Sequence, residues 1–264
     1  MKAITQQLKL ASMVLLVGLL WPQQPSGREV MEQYKLQDRT ADESSTQTMT
    51  IVNSRGATRE RQVTYVTKTD ADDNRKMLIR FLAPANIAGT GFLSIEHGDR
   101  DDDRWLYLPA VRKTRRIAGS DKTDDFVGSQ FTYEDLDSEQ LALYDYTLTG
   151  SETVDGTDAW VVEAVATDPK KIEDTAYGRR ELWIGKEHHT LIRAKYYDKS
   201  GAYVKLFEAS DVRQVRGSEK WRAYRMTMED VQEGDKTILE VSEYVIDQGV
   251  SDAFFSERYL KRGR

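Results

Sequence analysis

The residues that could do chemistry are considered first, because most of them fall away. Asp70, Asp72, Asp73 and Asn74 crowd together like the start of a calcium loop. Such a loop needs glycine at its sixth position and a bidentate glutamate at its twelfth, where this chain has Phe81. The cluster therefore reads as a solvated hairpin tip. The three histidines, His97, His188 and His189, show no ligand spacing for zinc. No G-x-S-x-G nucleophile elbow is present. Gly89-Thr-Gly91 lacks the third glycine and the βαβ setting of a nucleotide loop. Adjacent carboxylates such as Glu134 and Asp135 are expected by chance among 44 acidic residues. The chain carries no enzyme signature, and neither a metal nor another cofactor is expected.

One chemically pointed group survives. Arg112, Lys113, Arg115 and Arg116 form a dense basic run in a chain of net charge −6. That overall charge opposes nucleic acid and anionic membrane surfaces, so any basic function must be local. The run suits contact with an anionic group: a lipid headgroup, transient contact with a membrane surface, or an acidic patch on a partner protein. It equally suits a strand edge guarded by charge, or ion pairs with nearby Asp99, Asp101, Asp102 and Asp103.

The elements that must position such groups are mostly strands. From about Ser45 the apolar residues recur every second position: Met49 and Ile51, then Met77, Ile79 and Phe81, and later Tyr224, Met226 and Met228. Turns at residues 53–56, 155–156, 199–201 and 233–235 separate successive runs. Eleven to thirteen strands at this spacing make antiparallel meanders. No Gly/Ser-rich linker divides them, so residues 28–264 are expected to form a single domain. Helices are few: a short amphipathic one over Arg28–Gln37, a segment near Ala85–Gly91, the region Thr123–Leu136, and Ser251–Arg262. So many half-apolar strands with so few helices leave much apolar face to cover. The sheet either fills its own interior or curls around a cavity for an apolar guest. Inward methionine and tyrosine favour the cavity, since soft side chains adapt to variable ligands.

Two termini-level features bear on location. Lys2 and Lys9 precede an apolar run from Leu10 to Leu20, and Trp21 and Pro22 end it, which is the layout of a secretory signal peptide over residues 1–27. The run falls short of the roughly 20 residues a membrane-spanning helix needs, and with no clean A-x-A before Ser26 and Gly27 the sequence fits both cleavage near Gly27 and an uncleaved anchor. There is no cysteine, hence neither disulfides nor lipid attachment at a cysteine, and a periplasmic, core-stabilised protein is expected.

Within Arg104–Leu136, Trp105–Leu108 is apolar on both faces and Pro109 ends it. Gly119-Ser120-Asp121 and Gly128-Ser129 bracket a segment with Phe126 and Phe131 turned inward, as a hinged lid or a permanently packed loop would need. The sequences Asp103-Arg-Trp-Leu-Tyr-Leu-Pro-Ala110, Arg115-Arg-Ile-Ala-Gly-Ser-Asp121 and Gly128-Ser-Gln-Phe-Thr-Tyr-Glu-Asp135, with Gly89-Thr-Gly-Phe-Leu93 before them, resemble the outer-membrane lipoprotein-sorting, LolA-like family of exported bacterial proteins. The likeness runs from about Arg28 to Leu260. It implies a mainly β fold, a curved antiparallel half-barrel of about eleven strands with short helices as a lid over an apolar cavity. It further implies a lipid, acyl chain or acylated cargo, and a membrane transporter of the resistance-nodulation-division (RND) type as a partner. Candidate lipid contacts are Met49, Ile51, Met77, Ile79, Phe81, Leu106, Leu108, Phe126, Phe131, Tyr224, Met226 and Met228. The expected activity is sequestration and hand-over, with a non-transporting envelope adaptor or sensor as the alternative.

Overall fold

The computed structural model describes residues 24–262. The expected leader lies outside the described residues except for its last four positions, and the final one, Gly27, already opens a helix. That helix, α1 (Gly27–Asp38), starts with a reciprocal capping box between Ser26 and Glu29. Val30 and Met31 on its buried face enter the core.

Thirteen strands follow: β1 (Asp42–Val52), β2 (Thr58–Thr69), β3 (Arg75–Ala83), β4 (Gly91–Ile95), β5 (Asp103–Leu108), β6 (Lys113–Arg116), β7 (Tyr144–Val154), β8 (Thr157–Ala166), β9 (Tyr177–Gly185), β10 (Leu191–Asp198), β11 (Tyr203–Gln214), β12 (Trp221–Asp230) and β13 (Lys236–Ile246). All belong to one antiparallel sheet, ordered β6-β5-β4-β3-β2-β1-β13-β12-β11-β10-β9-β8-β7. Two meanders are thus zipped together by β1 and β13, which pair from Glu43↔Ile246 to Val52↔Lys236. Strands β6 and β7 are the two edges, and the sheet does not close between them. It is nevertheless strongly curved. Phe92 near one end and Val162 near the other lie in the same core cluster, together with Met49 and Met228 from the middle.

The topology has a geometric consequence. The chain leaves β6 at one edge and must re-enter at β7 on the opposite edge, so the connector of residues 117–143 crosses the concave side. It contains short 3₁₀ turns at Gly119–Thr123, Phe126–Gly128, Glu134–Leu136 and Leu141–Leu143. The helix expected across Thr123–Leu136 does not form. Instead Phe126 N–H donates to Phe131 O and Tyr133 N–H to Asp124 O, closing a tight hairpin. Its tip places Val127 (φ 51°) and Gly128 (φ 71°) in the left-handed region, where glycine is favoured over a β-branched residue.

Other expectations are corrected locally. Residues 84–89 make a turn rather than a helix, with Ala88 N–H returning to Pro84 O. The C-terminal region divides into a 3₁₀ turn (Asp252–Phe254) and α3 (Glu257–Arg262), while α2 (Pro169–Asp174) had no counterpart among the expected helices. Strands β4 and β6 bring the total above eleven. In β4, Phe92 faces the main core while Leu93 joins Leu78, Phe255 and Leu260 on the outer side. Strand β5 behaves alike: Leu106 points into the core and Trp105 packs towards α3. Arg80 on β3 donates to the carbonyls of Tyr259 and Leu260 near the end of α3, where unpaired helix carbonyls need donors. None of the described helices is long and apolar enough to cross a membrane.

Candidate functional site

The concave face and the connector enclose a cavity of about 300 Å³. Its apolar wall is built by strand alternation. Met49 (β1), Val63 (β2), Ile79 (β3), Phe207 (β11), Met226 and Met228 (β12) and Leu239 (β13) line it from the sheet, and Phe126, Phe131 and Leu136 face them from the connector. Phe126 is anchored in an aromatic cluster, 5.9 Å from Phe81, 5.5 Å from Phe92 and 5.5 Å from Tyr133 between ring centres. The opposite end is polar. Tyr34 from α1, Glu43, Tyr65, Arg75, Tyr196, Arg222 and Tyr244 line it, with Asp137, Ser138 and Glu139 of the connector.

Of the twelve residues expected to contact lipid, the structure brings Met49, Ile79, Phe126, Phe131, Met226 and Met228 to the cavity wall. Ile51, Met77, Phe81 and Leu106 are buried in the same core but away from that wall, and Leu108 is half-buried against it. Tyr224 packs edge-on against Tyr244, 5.1 Å away, beside the cavity. The face was legible from the two-residue period, but the position along each strand was not, because α1 and the connector fill part of the concavity. Val63, Phe207 and Leu239 were missed although they alternate in phase. The polar end was missed altogether. Arg75 stands two and four positions before Met77 and Ile79, so strand parity alone turned it inward.

The connector is held by charged pairs on its second half. Arg104 donates to both carboxylate oxygens of Asp137 at 2.8 Å. Arg180 donates to Glu139 at 2.9 and 3.0 Å, and Tyr146 also donates to Glu139. Lys171 pairs with Glu134 at 2.7 Å, and the Ala176 N–H donates to the same carboxylate. Tyr177 donates to Asp135 at 2.9 Å. Glu96 on the sheet accepts from the Ser138 N–H and hydroxyl, and Arg75 donates to Leu136 O at 2.6 Å. Burial alone would raise Glu139 and Glu134, but Arg180 and Lys171 respectively outweigh it and hold both below the ordinary glutamate range. Burial prevails at Asp137 and Glu43, which are held above their ordinary values despite Arg104 and Arg222. The first half is held by hydrogen bonds and packing instead of buried carboxylate pairs: Arg61 donates to Val127 O, Lys205 to Gln130 O at 2.7 Å, and the Gln130 N–H to Thr237 Oγ1 at 3.0 Å, while exposed Arg115 pairs with exposed Asp121. Beyond the pinned half lies a second space of about 720 Å³, lined by the same ion pairs together with Lys122, Lys170 and Asp174.

Lys113, Arg115 and Arg116 of the basic run lie on β6, at the sheet edge, with Arg112 in the turn before it. Arg115 pairs with Asp121 and Arg116 with Asp103, each at 2.8 Å. Arg112 and Lys113 are exposed and make no ion pair among the described residues.

The open, strongly curved antiparallel sheet and its spanning connector define a fold of the LolA-like class. A family model described as "uncharacterized protein" matches residues 73–262. A structure described as an outer membrane lipoprotein-sorting protein domain from Vibrio parahaemolyticus is 30% identical, with a TM-score of 0.82, covering 89% of this chain and 98% of that one. A DUF1329 family protein from Desulfovibrio piger is 32% identical, with a TM-score of 0.83, covering 89% and 97%. A LolA superfamily protein from Nitrosomonas europaea, 18% identical with a TM-score of 0.69 and coverage of 89% and 100%, shares the fold. No curated protein matches the chain. The chain belongs to the LolA-like, outer-membrane lipoprotein-sorting family.

Proposed function

We propose that the protein is a periplasmic carrier that sequesters a lipid or acyl chain on its concave face and passes it to or from a membrane protein, without catalysing a reaction. The observation that carries this reading is the cavity wall. Met49, Met226 and Met228 face Phe126 and Phe131 across a space that no side chain of the described residues fills. Thioether and aromatic groups adapt to a flexible chain, and each buried methylene stabilises the complex by about 0.8 kcal/mol. Exchange requires the cover to open. The hairpin Asp124–Tyr133, held by hydrogen bonds and aromatic packing and not by buried carboxylate pairs, is the part proposed to move, while Asp137 and Glu139 stay fixed. Arg112 and Lys113 at the free edge are proposed to meet an anionic headgroup or an acidic partner. The RND-type transporter as that partner rests on the family resemblance alone.

Trp221 lines the cavity and gives a direct test. Fatty chains brominated along their length should quench its fluorescence, and the quenching should vanish in Trp221→Phe. Equal quenching in both proteins would place the chains elsewhere and contradict the reading.

A further inference from the structure

We infer that the polar end of the cavity selects the cargo: a single-chain amphiphile whose head is uncharged and bears oxygen, a hydroxyl or an ester. The inference rests on the carrier reading and narrows it. The hydroxyls of Tyr34, Tyr65 and Tyr196 make no hydrogen bond among the described residues, although all three residues line the cavity. Among the described residues, Thr114 Oγ1 is the one side-chain polar atom sealed from solvent without a partner. The three phenols are therefore accessible at the cavity they line, Tyr34 and Tyr196 at its border with the second space. Buried polar groups left unanswered are costly, and a phenol can both donate and accept. Tyr196 itself is only 8% exposed. A fourth donor is near: Arg75 spends one N–H on Leu136 O and sits 3.8 Å from Glu96.

Charge decides the kind of head. Each carboxylate deep in this end is already matched: Glu43 by Arg222 at 2.8 Å, Asp137 by Arg104, and Glu139 by Arg180. Arg75 in turn faces Glu96. Among the described residues, both arginines lining this end, Arg75 and Arg222, already face a carboxylate, so a phosphate or carboxylate would enter among four carboxylates in a poorly solvated space. An uncharged head avoids that cost and still satisfies the phenols. Size decides the number of chains. The apolar part, about 300 Å³, lies at the bottom of the usual range of small-molecule sites, roughly 300–1,000 Å³, and the larger adjoining space is lined mainly by charged and polar groups, so the apolar wall takes one chain rather than several.

The test compares displacement of a fluorescent acyl probe from the exported, delipidated chain by 1-monopalmitoylglycerol, palmitate, palmitoyl lysophosphatidic acid and dipalmitoylglycerol. Monopalmitoylglycerol should bind at least about tenfold more tightly than either anion, and dipalmitoylglycerol should not compete. Replacing Tyr34, Tyr65 and Tyr196 together with Phe keeps the volume and removes the hydroxyls. It should weaken monopalmitoylglycerol by about tenfold or more, since each hydrogen bond contributes about 1 kcal/mol, while leaving binding of hexadecane unchanged. Anions binding as tightly as the monoglyceride, or a triple variant that binds it unaltered, would overturn the inference. If the triple variant does not fold, the ranking on the unaltered chain decides. Binding of two-chain lipids alone would refute this inference and leave the carrier reading standing; no binding by any lipid would remove both.

Discussion

Glu139 joins the connector to the far half of the sheet through Arg180 and Tyr146, and all three groups are largely withdrawn from water. Removing one partner of such a pair strands the other charge. Glu139→Ala should therefore destabilise the fold by about 3–5 kcal/mol, read as a shift in the urea midpoint at unchanged slope. Acid should do the same reversibly. Glu139 and Glu134 titrate below the unfolded-chain value, so their contribution is complete above that value and is lost as pH falls through the lower, folded one. Glu43 and Asp137 have the opposite sign: their folded values are raised, so they gain protons first, and their ionised forms cost stability at higher pH. The expected result is a loss of stability as pH falls below the ordinary glutamate value of about 4.3, with a flatter profile in Glu139→Gln. An equally steep profile in that variant would show that other carboxylates govern acid unfolding.

At the scale of elements, α1 owes its position to a missing side chain. A Cβ on Gly27 would fall 2.7 Å from both Leu148 N and Tyr146 O on β7, and backbone cannot yield there. Gly27→Ala should lift the first turn of α1 off the sheet and cost about 1–3 kcal/mol, measurable as a lower Tm. The capping box at Ser26 needs that residue present, so cleavage of the leader is expected on its N-terminal side; mass determination of the exported chain checks this, and a mature end at Gly27 would contradict it. Most elements were legible beforehand, because a sheet with one wet face writes its period into the residues: Met49 and Ile51 on β1 inward, Thr48 and Thr50 between them. Strand β4 was illegible for a physical reason. It is covered on both sides, so Phe92 and Leu93 show no alternation. The turn at residues 84–89 and the short α2 contain too few residues to develop a helical period, and α2 is defined instead by its Asp168 cap and Pro169.

At the scale of the molecule, the sheet order decides what the cavity is. Because β6 and β7 lie at opposite edges, one connector has to span the concavity, and it becomes both roof and partition. The apolar half of the site followed from parity. The polar half needed the tertiary arrangement, since Tyr34, Tyr65, Arg75 and Tyr196 come from four separate elements that no sequence spacing relates. On the proposed reading, the greasy wall takes the tail of an amphiphile and the phenol-lined end its head. The most direct measurement is native mass spectrometry of the chain purified from the envelope of cells that export it, followed by release and fragmentation of any adduct. The account predicts one lipid per chain, with a single acyl or alkyl chain and an uncharged oxygen head, lost when Met228→Asp places a charge in the wall. A chain that emerges without lipid, or whose lipid persists in the Met228→Asp variant, would contradict it.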